Sequence, residues 1–166
     1  MIPIKYTRGD ATQPKGKGVK YIIHCCNDVG GWGAGFVIAL SKRWEEPEKQ
    51  YRDWAHNREG TGKPFELGQV QIVIVETSII VANMIGQRDT RWCDGVPPIR
   101  YEAIDECLSR VYNNIERNKK LNPKHPYSIH CPRFGAGLAG GNWKEIESLI
   151  EKNILAKNIP VTVYDL

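Results

Sequence analysis

The stretch Tyr21–Trp44, YIIHCCNDVGGWGAGFVIALSKRW, constrains the fold more than any other part of the chain. Tyr21-Ile22-Ile23 has the aromatic and β-branched character of a strand. A polar corner follows at His24-Cys25-Cys26-Asn27-Asp28, then a flexible turn at Gly30-Gly31-Trp32-Gly33-Ala34-Gly35. Phe36, Ile38, Ala39, Leu40 and Trp44 then fall at helical spacing around Ser41, Lys42 and Arg43. The pattern predicts strand, glycine loop and helix. Glycines at such a junction let backbone approach a ligand closely. The free N–H groups of the helix's first turn favour an anion, usually a phosphate. No Gly-Lys-Ser/Thr closes the loop and the spacing is not a clean GxGxxG, so the turn taken alone also reads as a tight connection.

The rest of the chain places this unit in a larger pattern. Ile2–Arg8 reads as a first strand with Ile2, Ile4 and Tyr6 alternating, closed by Gly9-Asp10-Ala11-Thr12. Gln13–Lys20 reads as a short exposed loop. Glu45–His56 reads as a second helical piece, and Asn57–Glu66 as a polar loop. Leu67–Glu76 and Ile79–Ile85, joined at Thr77-Ser78, predict a hairpin covered on both faces. Gly86–Pro98 is a longer loop. Tyr101–Leu121 is an amphipathic helix with Ala103, Ile104, Cys107, Leu108, Val111 and Ile115 on one face and a solvated charged face opposite.

Tyr127–Cys131 is a short strand leading into a second glycine loop, Pro132-Arg133-Phe134-Gly135-Ala136-Gly137-Leu138-Ala139-Gly140-Gly141. A final helix spans Asn142–Ala156, with Asn142 as N-cap and Glu145 completing a capping box, and Val161–Leu166 is the last strand. The alternation predicts an α/β fold, a three-layer α/β/α arrangement with a mixed sheet of roughly six strands. Both glycine loops join a strand's C-terminal end to a helix, the edge where open α/β sheets bind ligands. Two such loops suit a ligand with two phosphates.

At 166 residues the expectation is a single domain, residues 1–166, able to bury a proper core. No apolar run spans a bilayer and the first residues lack the apolar core of a signal peptide, which points to a cytoplasmic setting. The five cysteines are odd in number and form no CxxC, so free thiols are expected. Neither they nor the histidines have metal-ligand spacing, and no cofactor is expected. The net charge of +4 comes from dispersed lysines and arginines, which fits an anionic ligand and gives no strong nucleic-acid signal.

Gly9-Asp10-Ala11-Thr12, Ile23-His24-Cys25-Cys26-Asn27 with Gly31-Trp32-Gly33-Ala34-Gly35, Pro132-Arg133-Phe134-Gly135-Ala136-Gly137-Leu138 and Val161-Thr162-Val163-Tyr164-Asp165-Leu166 together resemble the macrodomains, the ADP-ribose-binding family. The pieces occur in family order across the whole chain. Within the family the chain looks most like the small single-domain branch that contains fungal ADP-ribose 1″-phosphate phosphatase and terminal ADP-ribose protein glycohydrolase.

The resemblance implies that Asp10, beside Ala11, accepts a hydrogen bond from the adenine amino group. It places Asn27 and the loop Gly31, Trp32, Gly33, Ala34, Gly35 and Phe36 against the distal ribose and one phosphate. Phe134, Gly135, Ala136, Gly137, Leu138 and Ala139 would hold the diphosphate from the other side, and Tyr164 and Leu166 would line the adenine pocket. Asp10 also reads as a turn residue and Tyr164 as core.

The branch's glycohydrolase uses a lysine after the second hairpin strand and an aspartate in the second glycine loop. Here those regions read Met84-Ile85-Gly86-Gln87-Arg88 and Gly137-Leu138-Ala139-Gly140, with neither residue. Glycohydrolysis by that route is therefore disfavoured. The expected reaction is hydrolysis of ADP-ribose 1″-phosphate to ADP-ribose and phosphate. His24 is the candidate acid, base or nucleophile. Asn27, Asp28 and Arg133 are supporting candidates, with Arg88 and Arg91 near the same edge. The alternatives are a non-catalytic reader of free or protein-linked ADP-ribose, and an ADP-ribosyl or O-acetyl-ADP-ribose hydrolase using an aligned water. His24 also reads as a buried histidine satisfying the sheet end.

Overall fold

The computed structural model describes residues 2–166. Its strands are β1 (Lys5–Arg8), β2 (Val19–Asn27), β3 (Val70–Glu76), β4 (Ile79–Gln87), β5 (Tyr127–Cys131) and β6 (Val161–Asp165). Its helices are α1 (Phe36–Arg43), α2 (Glu46–Ala55), α3 (Tyr101–Leu121) and α4 (Trp143–Asn153), followed by a 3-10 turn at Leu155–Lys157. The strands form one sheet in the order β1-β6-β5-β2-β4-β3. Only the β3–β4 pair is antiparallel. The mixed α/β fold expected from the sequence is the one observed.

Alternation along the strands sorts the core onto two faces. Tyr21 and Ile23 of β2, Ile80, Ala82 and Met84 of β4, Ile129 of β5 and Val163 of β6 pack under α3 and α4. Ile104, Leu108, Val111, Ile115, Ile146 and Ile150 supply the helical side of that layer. The intervening Ile22 and Cys26, with Val73, Ile79 and Val81, pack under Leu40, Trp44 and Tyr51 of α1 and α2. Each fully buried large aliphatic side chain contributes about 1.5–3 kcal/mol.

Over β5 and β6 the second face is polar, and a loop covers it. Its buried residues include Lys20, His130 and Tyr164. Tyr164 accepts a hydrogen bond from the Lys15 backbone at 3.0 Å, and Lys20 Nζ donates to the carbonyls of Gly16 and Gly18. The segment Gln13–Lys20, expected as an exposed loop, is therefore tied down across the sheet, and its last two residues belong to β2.

Element boundaries shift for identifiable reasons. β1 is an edge strand, so of the alternating Ile2, Ile4 and Tyr6 only Ile4 packs against the core while Ile2 and Tyr6 stay exposed, and pairing begins only at Lys5. β2 runs through the expected polar corner to Asn27 because its parallel partner β4 extends to Gln87. The hairpin turns at Thr77-Ser78 as expected, but only β4 is covered on both faces. β3 is the other edge, and Ile74 is 68% exposed. Asn142 caps α4 by accepting from the Lys144 N–H at 2.9 Å. The capping box is not formed, because the Asn142 N–H donates to the Tyr101 hydroxyl at 2.8 Å.

Gly18 anchors the covering loop where it enters β2. Its φ is +80°, and an added Cβ would sit 2.2 Å from the Pro126 carbonyl oxygen. Gly18→Ala should destabilise the fold by about 2 kcal/mol or more through backbone strain and that clash. Urea denaturation checks this, and an unchanged midpoint would contradict it.

Candidate functional site

A cavity of about 520 Å³ lies at the C-terminal ends of the parallel strands. Gly9, Asp10 and Ala11 line it after β1, His24 and Cys25 on β2, and Gln87 at the end of β4. Tyr164 and Leu166 close one end. The two glycine loops form opposite walls.

The first wall comprises Ala34, Gly35, Phe36, Val37 and Ala39. Gly35 is the N-cap of α1, with φ +81° and no side-chain cap, and the first turn carries no acidic residue. Among the described residues, no backbone partner takes the N–H groups of Phe36 and Val37, which can meet an anion, while Ile38 N already donates to Gly35 O at 3.1 Å. The second wall comprises Pro132, Arg133, Phe134, Gly135, Gly137, Leu138 and Ala139. Its shape is fixed by Ile99 N donating to Ala139 O at 3.1 Å and Gly141 N to Gly135 O at 2.8 Å. Among the described residues, no backbone partner takes the N–H groups of Gly137, Leu138 and Ala139. Two runs of unpaired amides thus flank one cleft.

Asn27, Gly31, Trp32, Gly33 and Ala136 do not line it, nor do the supporting candidates Asp28, Arg88 and Arg91. Asn27 is consumed by its own loop. Its Nδ2 donates to Gly31 O at 2.9 Å, and its Oδ1 accepts from Val29 N, Gly31 N and the Tyr51 hydroxyl. Gly31 packs against Asn27 and Thr90. Trp32 is core, edge-on to His24 at 5.5 Å, with Nε1 donating to Ser41 Oγ at 2.8 Å. Gly33 and Ala136 sit outside the cavity wall, Gly33 in open space and Ala136 in a turn whose N–H reaches Arg133 O at 3.4 Å. Within each loop, glycine spacing does not tell which residues turn toward the cavity.

Asp10 is both turn and wall. Its Oδ1 accepts from Thr12 N at 2.8 Å and Thr12 Oγ1 at 2.7 Å, which leaves Oδ2 available to a ligand. Tyr164 lines the cavity with its ring against Gly9, 3.4 Å from where a Cβ would stand. Since the Tyr164 hydroxyl accepts from Lys15 N, its own proton goes to His130 Nδ1 at 2.8 Å, and His130 Nε2–H then donates to Ser128 Oγ at 2.8 Å. Arg133 lines the cavity in an ion pair that leaves Nη1 without a partner among the described residues. Its guanidinium pairs with Asp165 at 2.7 and 3.0 Å and lies over the rings of Tyr6 and Trp143. Asp28 accepts from Asp89 N at 2.7 Å and so ties two loops together. Arg88 and Arg91 are exposed and outside the wall.

His24 is only 1% exposed, at the inner wall of the cavity. Asn83 Nδ2 donates to Pro47 O and Gln71 Oε1, so Asn83 Oδ1 must accept, and it takes the His24 Nε2–H at 2.5 Å. The unprotonated nitrogen is therefore Nδ1. Burial lowers the His24 pKa to about 4, against a smaller upward pull from Asn83. The imidazole is therefore neutral near pH 7 in the free protein.

Cys25 and Gln87 also line the cleft, although nothing in their local sequence marks them. Cys25 Sγ lies 3.9 Å from Gln87 Oε1, and burial raises the thiol to about 12. Among the described residues, no group of three or more His, Cys, Asp or Glu side chains is arranged to hold a metal.

His130 is also lowered to about 4, by burial and by Lys20. Unfolded histidines take up protons near pH 6.5, whereas these two resist protonation down to about pH 4. Their stabilisation is fully present above pH 6.5 and is lost as the pH falls through that window, on the order of 3 kcal/mol each. Melting temperature should drop between pH 7 and pH 4.5, and His130→Phe should flatten the slope. A melting temperature independent of pH over that range would contradict the assignment.

Comparison with known proteins places this geometry in context. No protein-family model matches the chain. It is 33% identical over 174 residues to chromodomain-helicase-DNA-binding protein 1-like from Danio rerio, an alignment covering 97% of the chain but only 15% of that protein. The chain therefore spans about 15% of the length of that relative. It is 24% identical over 153 residues to ADP-ribose 1″-phosphate phosphatase from Candida albicans, covering 90% of the chain and 92% of the relative. The solved structure of a macrodomain protein from Streptomyces coelicolor superposes with a TM-score of 0.82 and 48% identity, over 98% of this chain and 99% of that one. With the same fold and nearly half its residues shared over the full length of that structure, the chain belongs to the macrodomain family.

Proposed function

We propose that the cleft binds ADP-ribose and that the protein hydrolyses ADP-ribose 1″-phosphate to ADP-ribose and phosphate. The observation that carries this reading is the pair of facing walls, the uncapped start of α1 and the free amides of Gly137, Leu138 and Ala139. Backbone N–H groups presented from two sides suit a diphosphate. At one end, Asp10 Oδ2 would accept from the adenine amino group, with the base against Tyr164 and Leu166. The other end holds His24, Cys25 and Gln87, where the terminal phosphate would lie. The name of the Candida albicans relative supports the same substrate.

In the proposed reaction a water attacks phosphorus, the bond from phosphorus to the ribose oxygen breaks, and that oxygen takes a proton from solvent, which balances the one that the attacking water gives up through His24 to solvent. Phosphoryl transfer passes through a loose transition state that asks little of a base and much of positioning. His24 would accept the water's proton through Nδ1. With its pKa near 4 it is a weak base, and the clamp formed by the two walls carries most of the acceleration.

A second reading, a non-catalytic ADP-ribose reader, is favoured by the burial of His24 and by an inner end without lysine or carboxylate. Two measurements separate the readings. By calorimetry, Asp10→Ala should weaken ADP-ribose binding by about 1–3 kcal/mol, and unchanged affinity would remove Asp10 from the site. The wild type should release phosphate from ADP-ribose 1″-phosphate. His24→Ala should lower turnover per folded molecule about 10²-fold, while ADP-ribose affinity holds. Binding without any phosphate release would leave the reader.

A further inference from the structure

A second concave site lies on the face of α3 that the sequence assigns to solvent. Arg110, Asn113, Asn114 and Arg117 recur at intervals of three and four residues, which puts them on one stripe of the helix. That stripe, Lys63 and the apolar residues Val70 and Ile72 enclose a groove of about 490 Å³. It shares no lining residue with the cleft.

The groove concentrates positive charge that its flanking carboxylates, Glu106 on Arg110 and Glu59 near Lys63, balance only in part. Lys63 is an exposed residue whose ammonium folds back to donate to a backbone carbonyl, that of Val70. Its pKa is lowered first by burial and then by the nearby Arg110 and Arg117 guanidinium groups, against an upward pull from Glu59. Arg110 reaches Gly68 O at 2.6 Å and Glu106 Oε2 at 3.1 Å through one nitrogen, which leaves its remaining donors free. Arg117 has no carboxylate partner among the described residues. Asn114 Oδ1 accepts from the Tyr21 hydroxyl at 2.6 Å, so its amide hydrogens are also free. Glu59 and Glu106 flank the groove but do not line it.

We infer that this groove binds a small phosphate-bearing anion, with Arg117, Arg110 and Lys63 meeting the phosphate oxygens. Guanidinium forks match phosphate in charge and geometry. The two asparagine amides add neutral donors, and Val70 with Ile72 gives an apolar floor beside the charges. An anion seated there relieves the mutual repulsion of the three cations, a gain that diminishes with added salt.

The full chain, labelled with 15N, can be titrated with inorganic pyrophosphate and separately with AMP. The inference expects saturable shifts at the amides of Asn113, Asn114 and Arg117 with both probes, weakening as salt rises. Tighter binding of AMP identifies a phosphate ester as the source, and tighter binding of pyrophosphate identifies the free anion. Arg117→Gln, a change on an exposed helix face, should weaken the groove response about tenfold, as for loss of one charge-assisted contact. It should leave any response at Gly137 and Leu138 unchanged. Shifts on α3 that never saturate, or that survive Arg117→Gln at full strength, would overturn the inference.

Discussion

Where β2 ends, one amide side chain sets the path of the first glycine loop. Asn27 donates to Gly31 O and accepts from Val29 N, Gly31 N and the Tyr51 hydroxyl, and Tyr51 also bonds the Asn27 carbonyl at 2.6 Å. The chain leaves the central strand, doubles back over Gly30 and Gly31, and reaches α1 from a fixed direction. Trp32 is driven into the core against Tyr51, with ring centroids 5.2 Å apart. With the loop anchored at both ends, Ala34 and Gly35 present backbone to the cleft, and α1 begins uncapped beside them. Losing the Asn27 side chain would free two loop N–H groups and a carbonyl at once, with the Tyr51 hydroxyl kept by the backbone carbonyl of residue 27, and each orphaned buried group costs about 1–3 kcal/mol.

The same face of the sheet holds two buried neutral histidines, each satisfied by a directed chain of hydrogen bonds. His24 gives its proton to Asn83, which is itself held by Pro47 and Gln71. His130 stands between Tyr164 and Ser128. The first chain fixes the inner wall of the cleft. The second fixes the ring of Tyr164 and, through Lys15, the loop that begins at Asp10. Polar residues on this face replace part of a hydrophobic layer and tie the ligand-facing loops to the sheet. Because full pairing offsets their burial, they hold geometry without leaving unmatched polar groups.

Much of this was legible in the sequence. Periodicity alone located α3 at its observed ends, and the apolar runs located β4 and β5. One glycine loop alone also reads as a tight connection; two of them, each at the C-terminal end of a strand, pointed to the edge where the cavity lies. The loop residues were harder. Trp32 and Ala34 stand in the same motif, yet one is core and the other wall, since direction depends on the Asn27 hydrogen bonds and not on composition. The ion pair of Arg133 with Asp165, distant in sequence, was also hidden. Gln87 was hidden because the apolar run of β4 stops at Ile85, and only the parallel register with β2 extends the strand. The state of His24 was beyond reach, since its neutrality depends on Asn83 and on burial.

The central claim is that the two glycine walls form one ligand site. Mapping the backbone amides of the 15N-labelled protein during titration with ADP-ribose tests it most directly. The account predicts saturable shifts confined to Asp10–Ala11, Ala34–Val37 and Gly135–Ala139, with both walls responding at a single dissociation constant. Shifts at one wall only, or a saturable response centred on α3 with both walls silent, would contradict it.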